Sequence, residues 1–475
     1  MGQARRVNAA REASEPGVAP EVRRAALVMV TASSFGLPLM LGAVNVALPT
    51  VAATFSLSAV ALSWVPLMFL LGSSASVLAF GRLADMVGRK RVFVWGSLAL
   101  AVASLLITVA PNGQILIALR ALQGLCAAML YATQAAIVTS VFPPAQRGRA
   151  LGYIASSVYF GLTLGPLVGG WLVEHVGWQA AFVVHLPLTA GVLLFALPRV
   201  PGDWAAAERG RFDWRGALNY AAGLACVVTA TAAMHDAARW LLLALGLGLL
   251  VLFVRSQRRR AMPLFDVSLF FTNRTFALSS AAALLMYTTT FSILVLVSLH
   301  LQYLKGLPAS QAGFVMFAQP LIVAVISPLV GRLSDRFEPR VIATAGAVIT
   351  GLGLGALARV TEATTLSQIT GCLVVTGIGF GLFATTNVNA IMGSIDRGQQ
   401  GAASSAVATA RVLGQLCSMG LVSLAFAGTL GGAQIVPAHY PQLEAALRLS
   451  FALAAALCVP CAWFSLVRGR LHAGR

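Results

Sequence analysis

Arg120 is the one charged residue in a stretch that runs from Val92 to Gln146, long enough for two membrane crossings. A buried cation without a buried anion costs about 2.5 to 3.5 kcal/mol on insertion scales, and charges inside spans mark transport or proton pathways by default. Arg411 falls inside another apolar run. The 15 Asp and Glu offer these cations no partner at the same depth. Asp85, Asp213 and Asp335 fall at inner span ends, Glu174, Asp236, Glu362 and Glu444 on the outer side, and the rest in inner loops or tails. A carboxylate is the usual group for relaying protons and for drawing cationic ligands into a low-dielectric cavity. Neither role has a buried occupant.

Other chemistry is sparse. The six histidines, His175, His185, His235, His300, His439 and His472, show no metal-ligand spacing, and no Ser-His-Asp or Cys-His arrangement stands out. No metal or cofactor is expected, nor an enzyme. His185 and His300 sit at span ends and read as interfacial histidines bonded locally. The six cysteines all lie in apolar segments, as small buried hydrophobes without a disulfide framework. Polar residues on otherwise apolar spans sketch a cavity: Gln123, Tyr131 and Gln134 in the fourth span, Tyr287 and Thr288 in the ninth, Gln319 in the tenth, and Asn387 and Asn389 in the twelfth. Trp64 and Phe69 are candidate aromatic walls. Intramembrane amides serve equally well as bonds between helices, so each also has a packing reading.

The elements that position these residues follow from composition. The chain of 475 residues is 58% hydrophobic and only 10% charged, with mean hydropathy +0.83, which places it among all-α polytopic membrane proteins. Fourteen apolar runs of spanning length follow one another from residues 25–48 to 446–467. With the N-terminus inside, four of the 33 Lys and Arg fall outside (Arg239, Lys305, Arg359, Arg448), two fall within spans (Arg120, Arg411), and the rest face inward. This bias fixes the orientation, with both termini cytoplasmic. It also accounts for the net charge of +18 without nucleic acid, because the basic residues occupy short segments between apolar runs. Residues 1–24 read as an Arg-rich inner tail, not a cleaved signal peptide.

An internal repeat divides the chain. Gly81-Arg82-Leu83-Ala84-Asp85 ends the second span, and Gly331-Arg332-Leu333-Ser334-Asp335 ends the tenth. Two six-helix halves are expected, residues 25–198 and 275–467, with linkers and an inserted hairpin of two spans in residues 199–274 and an inner tail at 468–475. In transporters built of parallel repeats, the binding site lies near midplane between the halves.

Several motifs carry a family resemblance. Gly81-x-Leu83-Ala84-Asp85-x-x-Gly88-Arg89-Lys90-Arg91 resembles the loop motif of the major facilitator superfamily. Leu119-Arg120-Ala121-Leu122-Gln123-Gly124 resembles its buried-arginine motif, and Gly161-x-x-x-Gly165-Pro166-x-x-Gly169-Gly170 its antiporter motif. Asn45-Val46-Ala47-Leu48-Pro49, Phe212-Asp213-Trp214-Arg215-Gly216 and Arg411-Val412-Leu413-Gly414 are similar to signatures of the fourteen-helix drug:proton antiporter branch. The resemblance runs from about Ala26 to Arg468. It implies a transporter working by alternating access in a bacterial cytoplasmic (inner) membrane, a monomer, exporting small hydrophobic or amphiphilic compounds against a proton gradient. Asp85, Arg89, Gly81, Gly88 and Asp335 would latch conformations, and Arg120 with Gln123 would take part in proton coupling.

The departures bear on energy source and substrate. Met40 stands where many members carry a first-span Asp, Phe69 replaces a common Tyr, and Glu338 replaces the Gly of the second loop motif. The loss at Met40 leaves open a proton-independent facilitator or an exporter of lipid-like or anionic amphiphiles. With Arg120 and Arg411 facing a cavity bounded by Met40, Asn45, Tyr131, Gln134, Tyr287, Gln319, Asn387 and Asn389, neutral or anionic substrates are expected over permanent cations. A membrane enzyme or sensor fits poorly, since no soluble domain is present.

Overall fold

A computed structural model describes residues 19–204, 212–232, 238–260, 263–395 and 400–469. Within these, the side chains at 144, 145, 232, 335, 400–402, 404 and 405 are not described. The expected tail up to residue 18, the turn at His235 and Asp236, and the side chain of Asp335 therefore lie outside the described residues.

Segments that are apolar on every face bury their backbone polar groups by forming helices, since lipid offers those groups no partner. Among the described residues fourteen long helices result: α1 Pro20–Phe55, α2 Ala59–Val87, α3 Arg89–Thr108, α4 Gly113–Val141, α5 Pro144–His175, α6 Trp178–Arg199, α7 Trp214–Ala232, α8 Ala238–Arg258, α9 Arg274–Leu304, α10 Ala309–Ser334, α11 Pro339–Leu357, α12 Leu366–Gly393, α13 Gln400–Thr429 and α14 Tyr440–Val467. Thirteen are individually long and apolar enough to span a membrane; α7, with Arg215, Asn219 and Tyr220 in its first turns, is less apolar. Caps set several starts. Ser58 accepts from the Ala61 amide, Asn112 from Ile115 and Asn273 from Phe276, while Thr365 and Gln368 form a capping box.

Packing repeats between the halves. The first helix of each half lies on the fifth (α1 on α5, α9 on α13), the second on the fourth (α2 on α4, α10 on α12), and the third on the fourth and sixth. The halves meet through α5 against α10 and α2 against α13, related by the same pseudo-symmetry. The hairpin of α7 and α8 docks on the outside, α7 against α2 and α13. Asp213, expected as a helix cap, does cap α7 by accepting from the Gly216 amide at 2.9 Å. It also binds Gln257 Nε2 at 2.8 Å and Arg260 at 2.9 Å, tying both ends of the hairpin together.

The halves are sealed at the outer end. Gln302 Nε2 donates to the Val46 carbonyl at 2.9 Å, the Ala59 amide to Ala433 at 2.9 Å, Gln434 to the Ser56 carbonyl at 3.0 Å, and the Ser310 amide to Glu174 at 3.1 Å. With these hydrogen bonds joining the halves at the outer end, the arrangement is that of an inward-facing alternating-access transporter.

Candidate functional site

A cavity of about 280 Å³ lies between the halves. From the first half come Ser34, Pro38, Asn45, Tyr131, Gln134 and Tyr159; from the second, Tyr287, Phe291, Gln319, Phe380, Arg411 and Gln415. Pro320 leaves the Met316 carbonyl without its usual donor, and α10 breaks at Phe317, turning Gln319 toward the opening. No carboxylate lines the cavity among the described residues.

Arg411 supplies the charge. Its Cζ stands 5.9 Å from the centroid of the Tyr131 ring, on the opposite half, a cation–π contact across the cavity. Among the described residues no oxygen or ring nitrogen accepts a hydrogen bond from its guanidinium. Its five donors are thus available to a ligand.

The structure corrects the expectation for Arg120. This side chain is fully buried inside the first half and does not line the cavity. The Phe69 ring lies 4.6 Å from its Cζ and the Phe182 ring 5.5 Å, so aromatic faces replace a counter-ion. Its Nε donates to the Val65 carbonyl at 3.1 Å and Nη1 to Gln123 Oε1, while Nη2 has no partner. Gln123 Nε2 in turn donates to Ser104 at 2.6 Å and lies 3.3 Å from Met40 Sδ. Met40 therefore belongs to this closed network and not to the cavity. Phe69 is likewise a lid over Arg120 rather than a cavity wall, and Trp64 does not reach the cavity.

Asn387 and Asn389 also turn away from the cavity. Asn387 donates to the Ser279 carbonyl at 2.9 Å and accepts from Arg468 at 2.6 Å; Asn389 reaches Ser334 at 3.4 Å. Arg468, read from the sequence as the start of the inner tail, is only 1% exposed and joins α9 and α12 to the end of α14. Of the other expected cavity residues, Asn45, Tyr131, Gln134, Tyr287, Gln319 and Arg411 come together. Tyr159, Phe380 and Gln415 were missed. Gln415 had a signal, one helical turn from Arg411 on the same face; Tyr159 was hidden beside the glycine motif.

The loop motif forms a latch within one half. Asp85 Oδ1 pairs with Arg89 Nη2 at 2.8 Å, and Arg89 Nη1 donates to Ser140 Oγ at 2.6 Å and the Ala136 carbonyl at 3.1 Å, pinning α2 and α3 to α4. Lys90 Nζ reaches the Val200 carbonyl at 2.5 Å, and Arg91 pairs with Asp203 at 2.7 Å. Gly88 sits at φ +115°, where a Cβ would also stand 2.7 Å from the Asp203 Cβ. Gly81, expected to permit close approach, faces open space in this state.

The antiporter-like motif lies in two contacts. Gly161, Gly165 and Gly169 face α1, where a Cβ would come within 2.3 Å of the Phe35 carbonyl oxygen, 2.8 Å of Gly42 Cα and 2.3 Å of Ala43 Cα. Gly170 faces the other half, where a Cβ would stand 2.4 Å from the Ala309 carbonyl oxygen. The Pro166 carbonyl presses on Gly313 in the same seam, a partner the sequence did not flag. The motif thus closes the outer end.

Known proteins share this plan. The pattern that defines the Major Facilitator Superfamily matches residues 30–416 and, overlapping, 278–473. The riboflavin transporter RibZ of Clostridioides difficile (strain 630) is 30% identical over 417 residues, covering 87% of this chain and 90% of that protein. The multidrug efflux pump LfrA of Mycolicibacterium smegmatis (strain ATCC 700084 / mc(2)155) is 30% identical over 458 residues, covering 90% of each. Among solved structures, a bacterial homologue of the human lysosomal transporter Spinster superposes with a TM-score of 0.65 at 17% identity, covering 95% of this chain and 98% of that one. With its repeated halves, its seam-lining cavity and these matches, the chain belongs to the Major Facilitator Superfamily and is a multi-pass membrane transporter.

Proposed function

We propose that this transporter exports neutral or anionic aromatic amphiphiles by alternating access, coupled to proton entry. The observation that carries the substrate class is Arg411, a guanidinium without a hydrogen-bond acceptor in a cavity free of described carboxylates. An anionic group on a ligand gains a charge-assisted bond there, and a bidentate carboxylate or sulfonate fits the guanidinium fork. Tyr131, Tyr159, Tyr287, Phe291 and Phe380 offer stacking faces to a planar ring system. A permanent cation meets like charge with no counter-ion. Riboflavin and multidrug transport in relatives are compatible with such a surface. Export and proton coupling rest on the antiporter-like motif and on the efflux relatives.

Reconstitution into liposomes tests this reading. Counterflow of radiolabelled 1-naphthalenesulfonate and of riboflavin is expected, with propidium, a dication, at least tenfold slower. Propidium exchanged as fast as the anion would overturn the charge argument. A second reading, a proton-independent facilitator, draws on the enclosed Met40 in place of a first-helix acid. Substrate-induced proton release, read with a pH-sensitive dye, separates the two, since a facilitator gives none.

A further inference from the structure

The proton in the proposed cycle needs a carrier, and no described carboxylate lies in the cavity. His185 offers one. The sequence placed it at an interface with local bonds, but it is 2% exposed and neither ring nitrogen has a hydrogen-bond partner. An unmet buried polar group costs about 1–3 kcal/mol, so an unbonded imidazole in a core is retained against a penalty.

Its surroundings are built to hold it. Pro187 withholds the amide that would bond the Val183 carbonyl, and α6 breaks at Val184 and His185. Gly36 on α1 gives room, since a Cβ there would stand 3.3 Å from the His185 Cβ. Beside the ring is a void of about 10 Å³, roughly what one water needs, bordered by the polar side chains of Ser33, Ser97 and Thr189. Ser33 Oγ accepts from Gln134 Nε2 at 3.2 Å, and Gln134 lines the central cavity. A chain of polar groups therefore runs from the substrate cavity through Gln134 and Ser33 to the void and the imidazole.

We propose that His185 is the proton-binding site of this transporter, loaded through the Ser33–Gln134 connection. The proposal rests on the transport reading above. One proton from the outer side adds to a ring nitrogen, giving imidazolium; after the halves turn inward, the same proton leaves to cytoplasmic water and one substrate departs in the next half-cycle. The groups facing His185 explain the sign. Ala32, Ser33, Gly36 and Leu37 of α1, Ser97 and Leu100 of α3, Leu130 of α4, and Leu188, Thr189 and Val192 of its own helix carry no charge. The Arg120 guanidinium lies 5.5 Å from the ring of Phe182, one helical turn before His185. It repels an imidazolium in either state, and release falls in the inward-facing state because the cavity that Gln134 lines then opens to the inner side.

The test compares wild type with His185→Gln in proteoliposomes, using radiolabelled 1-naphthalenesulfonate. Counterflow needs no proton and reports transport alone; accumulation driven by an imposed pH gradient reports coupling. The variant is expected to keep counterflow within about threefold and to lose gradient-driven accumulation by tenfold or more. Undiminished accumulation overturns the proposal. Wild-type accumulation that ignores the gradient overturns it too, while counterflow leaves the transport reading intact; absent wild-type counterflow of this anion and of riboflavin counts against the transport reading instead. A measurement free of transport guards against a misfolded variant: ¹³C-histidine spectra of the wild-type protein, with the His185 signal identified by its absence from His185→Gln or His185→Asn. That signal is expected to pass from the neutral to the protonated form as the pH is lowered over the range in which the protein stays folded. A ring that holds one state across that range overturns the proposal.

Discussion

Arg120 and Arg411 look alike in sequence, each a lone arginine in an apolar span, but the protein treats them oppositely. Arg120 is enclosed by Phe69 and Phe182 and bonded to Val65 and Gln123, all from its own half. Arg411 reaches across the seam to Tyr131 on the other half and faces open volume. Depth in the membrane is therefore a poor guide to surroundings. The neighbours of Arg120 belong to one half and those of Arg411 to both, and the proposed ligand-binding role goes with the second.

The sharpest way to break this contrast is Arg411→Gln, which keeps hydrogen bonding and removes the charge. Counterflow of 1-naphthalenesulfonate is expected to fall about ten- to a hundredfold, the scale of a lost charge-assisted bond of about 1.5–3 kcal/mol. Riboflavin exchange is expected to change far less. The companion substitution Arg120→Gln is expected to leave the ratio of the two substrates within about twofold. Its effect falls on stability, about 1–3 kcal/mol from the unmet Gln123 and Val65 acceptors, read as a lower melting temperature in detergent. If Arg120→Gln alters selectivity and Arg411→Gln does not, the assignment of roles is reversed.

The same contrast between closed and open surroundings applies to the glycines. Gly170→Ala puts a methyl against the Ala309 backbone in the outer seam, an overpacking worth about 1–3 kcal/mol against the inward-facing state. Spin labels on the inner ends of α5 and α10 are expected to report a shorter distance distribution. Gly81→Ala meets no atom in this state and is expected to leave the melting temperature within about 1 °C, the smallest effect of the series. Asp85→Asn falls between these two, since Arg89 keeps Ser140 and Ala136 as acceptors and the pair is partly exposed, so a loss of about 1 kcal/mol or less is expected by denaturation.

Much of the architecture was legible from the chain. The apolar runs, the bias of basic residues and the repeated Gly-Arg-Leu-x-Asp pentapeptides need only local physics, because in lipid a backbone must bond to itself. Six of the expected cavity residues were legible as polar interruptions of apolar runs. Asn387 and Asn389 were indistinguishable from them, since an amide bonded to a neighbouring helix and one facing a ligand have the same local sequence. Arg468 was misplaced because its burial depends on Asn387 and Ser279, far away in the chain.

The sequence by itself determined that this chain crosses the membrane repeatedly, in two related halves, with its basic loops inward and cations but no anions at depth. Those properties follow from hydropathy and spacing along one strand of chain. Only the tertiary structure decided which arginine meets the cavity, that Met40 is sealed beside Gln123, and that His185 stands unbonded at a helix break. Each of these depends on the rotation of a helix about its axis, which is set by the partners that pack against it.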